Sequence, residues 1–200
     1  MASFCELLIV KISGLLEKLA AKFPKNLRGP LVKHVGTLRE LIEGELDAAR
    51  KSPDKAAKLA ATKKIITTCA ALCTTVGVEP IPLADFPIIT ALQFLMVASI
   101  MHVSGREISR KAIAEFLGAL GLNIGVGLVF REGARAAVKL LPAFGNAISG
   151  AVAGGATYAL GRAATLYFVE NVPLPEVRNF FRKSRSIPPE PPKPPSLPEQ

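Results

Sequence analysis

The sequence contains no tryptophan and only two tyrosines, and aromatic residues make up 6% of it. Charge is also sparse, at 20% of the residues against about 25% in an average soluble domain. Hydrophobic residues account for 50%, and the mean hydropathy is positive, at +0.34. Because aromatic rings are few, most of this apolar content is alanine, leucine, isoleucine and valine, which suits closely packed helices. The composition indicates heavy burial or contact with a membrane.

The sequence also lacks the motifs of common enzyme families. It has no G-x-x-x-x-G-K-[ST] phosphate loop, no G-x-S-x-G elbow, no H-E-x-x-H pair and no C-x-x-C pair. The two histidines, His34 and His102, lie far apart in sequence, and we expect no metal and no other cofactor. Asp85 is an isolated acid in an apolar context, but aspartate is a preferred helix cap, so we interpret it as one. We predict that the protein is not an enzyme.

Three cysteines, an odd number without a disulfide-framework spacing, favour reduced thiols in a cytoplasmic setting. Cys69 and Cys73 are four residues apart and share one helix face. We interpret them as buried free thiols, because free cysteine is among the most buried residue types. A redox or soft-metal pair, or an uncharacterised enzyme that uses Asp85 or these cysteines, is the alternative.

The net charge is +9, which suits an anionic partner. The basic residues are spread along predicted helices, without an aromatic-basic stacking platform or zinc-finger spacing. We therefore expect no nucleic acid. Basic charge combined with high hydropathy indicates lipid headgroups instead.

Helical periodicity recurs along the chain, and no segment alternates as a strand does. We expect an all-α protein: a compact helical bundle with hydrophobic helical hairpins. Ser52 and Pro53 predict the start of a helix that is wholly apolar over residues 65–78. Residues 104–107, SGRE, match a capping box and predict a helix from Arg106 to about Leu122.

The chain divides into four expected parts. Residues 1–52 contain an amphipathic helix, which we do not interpret as a signal peptide, and a charged helix; residues 53–170 form the hydrophobic helical domain. Residues 171–186 are a basic-aromatic segment, and residues 187–200, with seven prolines, are a disordered tail. The tail could bind a partner that reads PxxP, although an inert tail is the simpler interpretation.

The residues from 79 to 97, EPIPLADFPIITALQFLMV, carry a resemblance. The turn Pro80-x-Pro82-x-Ala-Asp85 followed by an apolar helix with Gln93 and Met96 resembles the domain of unknown function typified by the YcjF family. Later residues are similar to the second half of that domain, so that the resemblance covers residues 57–170; these are Gly145, Gly150, residues 156–161 and Tyr167.

That family is helical and is often found after Era-like GTPase domains or in membrane-associated proteins. The resemblance therefore implies a membrane-proximal module that works with a GTPase. Residues 1–56 contain no GTPase motif, so the GTPase implied here is a separate partner.

Two segments are candidates for contact with a membrane. Residues 86–103 are rich in large apolar side chains and are the stronger candidate. Residues 140–161 carry no charge, but they consist largely of small residues, which favour cover by other helices. The spacing G-x-x-x-G occurs twice, at Gly121 with Gly125 and at Gly150 with Gly154, and it allows close helix crossings. We expect Gln93 to form an interhelical hydrogen bond.

We therefore predict a non-enzymatic, membrane-associated interaction module on the cytoplasmic side. Two amphipathic segments supply its expected contacts with an anionic membrane or a partner; their residues are Leu8, Ile12, Leu15, Phe180, Phe181, Arg182 and Lys183. Ordinary core packing is the competing interpretation of both segments. The alternative function is a soluble homo-oligomeric scaffold or adaptor.

Overall fold

The computed structural model describes residues 40–78, 85–121 and 145–186, together with five single residues between positions 29 and 38. Of the described residues 86% are helical and none is in a strand, which confirms the all-α class. Several expectations lie outside the described residues: those on Leu8, Ile12, Leu15, Pro80, Pro82, Gly125 and the proline-rich tail.

Six α-helices make up the described part of the chain. A π-helical turn, Leu41–Glu45, leads directly into the first helix. In chain order the helices are α1 Leu46–Lys51, α2 Lys55–Val78, α3 Asp85–Ser104, α4 Arg110–Ala119, α5 Gly145–Phe168 and α6 Leu174–Ser186. The side chain of Asp85, at the start of α3, is outside the described part.

The helices α2 and α5 form the closest pair, and glycine makes their approach possible. A Cβ atom on Gly150 would come within 2.8 Å of the Thr74 carbonyl oxygen, and one on Gly161 within 2.6 Å of the Ile66 side chain. Gly154 is crowded by the side chain of Thr74. Because rising positions on α5 meet falling positions on α2, the two helices are antiparallel.

Helix α3 lies in the core of the bundle, in contact with α1, α2 and α5. Along residues 88–103 its large apolar side chains are at most 3% exposed, except for the partly buried Phe94; His102 is 7% exposed. We expected residues 86–103 to meet lipid directly, and the structure corrects this expectation. The apolar surface of α3 is covered by other helices of the same chain.

Two helix starts lie a few residues later than the sequence predicted. Ser52 Oγ accepts a hydrogen bond from the Asp54 backbone N–H, while Asp54 Oδ1 accepts from the Ala56 N–H, so Asp54 is the residue that caps α2. The helix α4 begins at Arg110, and its N-cap is Ser109, whose Oγ accepts from the Ala112 N–H at 3.0 Å.

The predicted capping box at residues 104–107 therefore belongs to the end of α3. Ser104 is the last residue of α3 and its hydroxyl donates to the Met101 carbonyl oxygen. Gly105 follows with φ of +83°, a backbone conformation that glycine adopts without strain. Gly121, with φ of +79°, lies just beyond the end of α4. Its expected partner in the G-x-x-x-G spacing, Gly125, lies outside the described residues.

Candidate functional site

Three helices contribute uncharged segments that lie side by side. They are residues 65–78 of α2, 88–96 of α3 and 145–161 of α5, and none contains Asp, Glu, Lys, Arg or His. Gly161 contacts both Ile66 and Met96, and Gly150 contacts Val78, so the three segments occupy the same level of the bundle. At 1.5 Å per residue the longer two extend over about 20 to 25 Å. We call these three segments the charge-free layer.

The outer surface of the charge-free layer is neutral as well. Its exposed described residues are Thr67, Ala151, Val152, Gly155 and Tyr158. Val152 is 44% exposed and Tyr158 43%. Charged side chains are common on the surfaces of soluble proteins, and none occurs among the described exposed residues of this layer.

Several threonine hydroxyl groups in the charge-free layer bond to the helices that carry them. Thr74 Oγ1 donates to the Ala70 carbonyl oxygen at 2.9 Å, Thr75 to Ala71 at 3.0 Å and Thr157 to Ala153 at 2.8 Å. A threonine that bonds the carbonyl one turn earlier needs no water as a partner. These side chains are therefore compatible with an apolar surrounding.

One hydrogen bond crosses between helices inside this layer. Gln93 Nε2 donates to Thr157 Oγ1 at 2.9 Å, joining α3 to α5. This is the interhelical bond that its sequence context favours. Because the threonine hydroxyl in turn donates along its own helix, the pair forms a short chain of hydrogen bonds.

Charged side chains begin at one edge of the layer. Lys63 and Lys64 precede Ile65 on α2, and Arg162 follows Gly161 on α5. Lys64 Nζ lies 2.6 Å from Glu45 Oε2, and an Arg162 nitrogen lies 3.8 Å from Glu170 Oε1. We call these five residues the charged belt. Tyr158 is one helical turn from Arg162 on the same face of α5.

Beyond the charged belt, His102 joins α1 to the end of α3. Its Nε2 lies 2.6 Å from Asp47 Oδ1, and its Nδ1 lies 3.4 Å from an Arg50 guanidinium nitrogen. Arginine can only donate, so Nδ1 accepts and the Nε2–H donates to Asp47. The hydrogen bond from His102 holds the pKa of the Asp47 carboxyl below its ordinary value of 3.8.

An arginine and three rings join the α3–α4 turn to the end of α5. The Arg106 guanidinium carbon lies 5.3 Å from the centre of the Tyr167 ring and 5.4 Å from that of Phe168. An Arg106 nitrogen donates to Asn171 Oδ1 at 3.0 Å, and Phe116 stacks on Tyr167. These contacts fix the charged end of the bundle.

The helix α6, which contains most of the basic-aromatic segment, is buried on one side and exposed on the other. Phe181 is 3% exposed and Val177 is fully buried, whereas Phe180 is 38% exposed. Arg182 and Lys183 lie on the exposed surface of α6. We expected both phenylalanines at the contact surface. The burial of Phe181 against the bundle corrects this expectation and leaves Phe180 as the exposed ring.

The cysteines of α2 are placed in the core. Cys69 and Cys73 are both fully buried. No group of three or more His, Cys, Asp or Glu side chains suited to a metal ion occurs in the part of the chain that the structure describes. Burial away from solvent agrees with the interpretation of Cys69 and Cys73 as packing residues.

One described helix, Lys55–Val78, is long and apolar enough to cross a membrane, and 50% of its apolar window is buried in the bundle. The core helix of a soluble protein meets the same criterion, so α2 alone does not distinguish a membrane protein from a soluble one.

The sequence predicted the close packing of Gly150 and Gly154 but not the charge-free layer. Each of the three uncharged segments is visible in the sequence, but their common edge appears only when the antiparallel helices are aligned.

The chain was compared with family models, with curated proteins and with solved structures. None of the three comparisons finds a match.

Proposed function

We propose that the protein is a non-enzymatic, membrane-associated helical interaction module whose charge-free layer lies in the hydrocarbon of a bilayer. The observation that carries the proposal is that the exposed described residues of the charge-free layer, which lie on α2 and α5, are all uncharged. Exposed Val152 and Tyr158 lie on this surface, and threonine hydroxyls near them bond to their own helices. In hydrocarbon every polar group needs such an internal partner.

The dimensions of the layer agree with this placement. A hydrocarbon core is about 30 Å thick, and the uncharged segments extend over about 20 to 25 Å. The layer is therefore thinner than the hydrocarbon core. The lysine and arginine side chains of the charged belt can span the remaining distance, because they are long enough to reach outward to the headgroups. Tyr158 then lies near the interface, where its ring and hydroxyl are both accommodated.

We place the charged end on the cytoplasmic side. Residues 162–186 carry five Lys/Arg against two Asp/Glu. Basic residues next to membrane segments are retained in the cytoplasm and attract anionic lipid.

A separate GTPase is the partner that we propose on the resemblance of residues 57–170 to the YcjF family. The charged end supplies the polar surface that such a partner would meet outside the bilayer, including exposed residues on α1, α4 and α6.

A soluble homo-oligomeric scaffold is the second candidate function. A Cβ atom on Gly155 would meet nothing within 4 Å, although Gly150, Gly154 and Gly161 of the same helix are crowded. A small residue with free space is what a second helix would use for close approach. This candidate requires full recovery of the protein without detergent.

Membrane fractionation followed by a carbonate wash tests the proposal. We expect the wild-type chain in the membrane fraction and resistant to carbonate. Val152→Lys puts a charge on the exposed surface of the layer, where it costs about 2.5 to 3.5 kcal/mol in hydrocarbon. The variant should therefore lose its carbonate resistance.

The matched control is Ala114→Lys, which adds the same charge to an exposed position of α4. It should fractionate as the wild type does. Recovery of the wild type in the soluble fraction would contradict the proposal, as would equal behaviour of the two lysine variants.

A further inference from the structure

A groove lies between the end of α4 and the first turns of α6. Its volume is about 460 Å³, and its lining residues are Ala119, Leu174, Pro175, Arg178, Asn179 and Arg182. The groove is separate from the charge-free layer, because α4 and α6 belong to the charged end of the bundle.

The polar side of the groove is cationic. Arg178 and Arg182 are four residues apart and therefore share one face of α6. An Arg182 nitrogen donates to Asn179 Oδ1 at 3.1 Å, which orients one guanidinium. A guanidinium has five N–H donors, so Arg182 keeps others for a ligand. None of the lining residues carries a carboxylate.

The helix that presents the two arginines is fixed. Val177 is 0% exposed and Phe181 3%, so the apolar side of α6 is docked on the bundle. Leu174, Pro175 and Ala119 form an apolar wall next to the arginines. The groove therefore combines the guanidinium groups of two arginines with a hydrophobic surface.

We propose that this groove binds the phosphate of an anionic lipid headgroup, with Arg178 and Arg182 as its ligands. Arginine donates two parallel hydrogen bonds to phosphate oxygens, and two arginines suit a phosphate monoester that carries more than one charge. The apolar wall accommodates the glycerol and the first carbons of the chains. The inference rests on the proposed membrane association, which brings such headgroups to the charged end.

Free phosphate compounds share this chemistry, and the experiment separates the two sources. The full chain is purified in neutral detergent micelles and titrated calorimetrically with short-chain phosphatidic acid, with phosphatidylcholine of the same chain length, and with inorganic phosphate. We expect phosphatidic acid to bind at least about tenfold more tightly than phosphatidylcholine. Inorganic phosphate should bind more weakly still, because it makes no contact with the apolar wall.

The variant Arg178→Gln/Arg182→Gln should abolish the preference for phosphatidic acid. Its matched control, Arg110→Gln/Lys111→Gln, removes two exposed positive charges from α4 and should keep the preference within about twofold. All four side chains are exposed, so both variants should unfold at the wild-type temperature.

Three results would overturn the inference. Equal loss of preference in both variants would mean a general effect of net charge, and binding of inorganic phosphate as tight as that of phosphatidic acid would assign the groove to free phosphate. Failure of the proposed function is seen separately, as soluble recovery of the wild type in fractionation. A carbonate-resistant wild type without any preference for phosphatidic acid would reject the groove alone.

Discussion

Gly154 and Gly155 are neighbours on α5 with opposite surroundings. A Cβ atom at position 154 would collide with the Thr74 side chain and lie 3.1 Å from the Ala70 carbonyl oxygen. At position 155 it would meet nothing within 4 Å. Thr74 cannot turn away without cost, because its hydroxyl is bonded to the same Ala70 carbonyl.

Gly154→Ala should therefore lower the free energy of unfolding by about 1 to 3 kcal/mol, the usual cost of overpacking a core. Gly155→Ala is the matched control. It should be neutral or stabilise the protein by up to about 1 kcal/mol, because alanine is the better helix former. Denaturant titration in neutral detergent micelles measures both. Equal effects of the two variants would contradict the packing of α5 against α2.

At the scale of residues, motifs predicted some contacts and not others. The G-x-x-x-G spacing identified Gly150 and Gly154, whereas Gly161 belongs to no motif and is recognised only from its contacts. The caps were misplaced, because Ser52 precedes Asp54 and Ser104 precedes Ser109, and each of these residue types can cap a helix. Which of them does so depends on where packing begins the helix.

Among the elements, α1 is short and depends on its neighbours. His102 on α3 is 7% exposed, and its bond to Asp47 attaches the α1 helix to the bundle. The carboxylate of Asp47 is the exposed partner, with 60% of its side chain accessible. The contribution of the bond is therefore screened by solvent.

The lowered pKa of Asp47 determines how the free energy of unfolding changes with pH. The stabilisation by the ionised Asp47 carboxylate is fully present above its ordinary pKa of 3.8 and is lost as the pH falls through the lower pKa of the folded state. Asp47→Asn should be less stable than the wild type by about 0.5 to 1 kcal/mol at neutral pH. This difference should shrink toward zero below pH 3.8.

Denaturant titrations of both proteins across the acid range measure the difference, with Glu40→Gln as the control for loss of an exposed carboxylate nearby. A deficit of Asp47→Asn that stays constant down to the most acidic conditions would contradict the assignment. So would a Glu40→Gln variant that reproduces the whole effect.

The hydropathy of the sequence identifies the apolar helices, but it does not show whether lipid or other helices cover them. The small residues of α5 favoured cover by other helices, and Gly150, Gly154 and Gly161 do contact α2. The same reasoning assigned α3 to lipid, although its large side chains are buried among helices. Protein and lipid interiors are equally apolar to leucine, so composition alone does not separate these environments.

At the scale of the whole molecule, the decisive property is that the uncharged segments of α2, α3 and α5 lie at the same level of the bundle. The antiparallel course of α2 and α5 puts Lys63 and Lys64 level with Arg162, and it leaves one uncharged layer on the far side of this belt. Each uncharged segment is visible in the sequence, but their common level depends on the tertiary contacts of Ile66 and Met96 with Gly161. The membrane proposal rests on this common level more than on any single helix.

The absence of tryptophan from the chain permits one direct measurement of that layer. Val152→Trp and Ala114→Trp each introduce a single indole, at exposed positions in the charge-free layer and at the charged end respectively. The proteins are reconstituted in vesicles, and their fluorescence is quenched either by lipid brominated in its acyl chains or by aqueous iodide. We predict that bromolipid quenches the indole at position 152 and iodide the one at position 114. Quenching of both indoles by iodide, with neither reached by bromolipid, would contradict the placement of the charge-free layer in the bilayer.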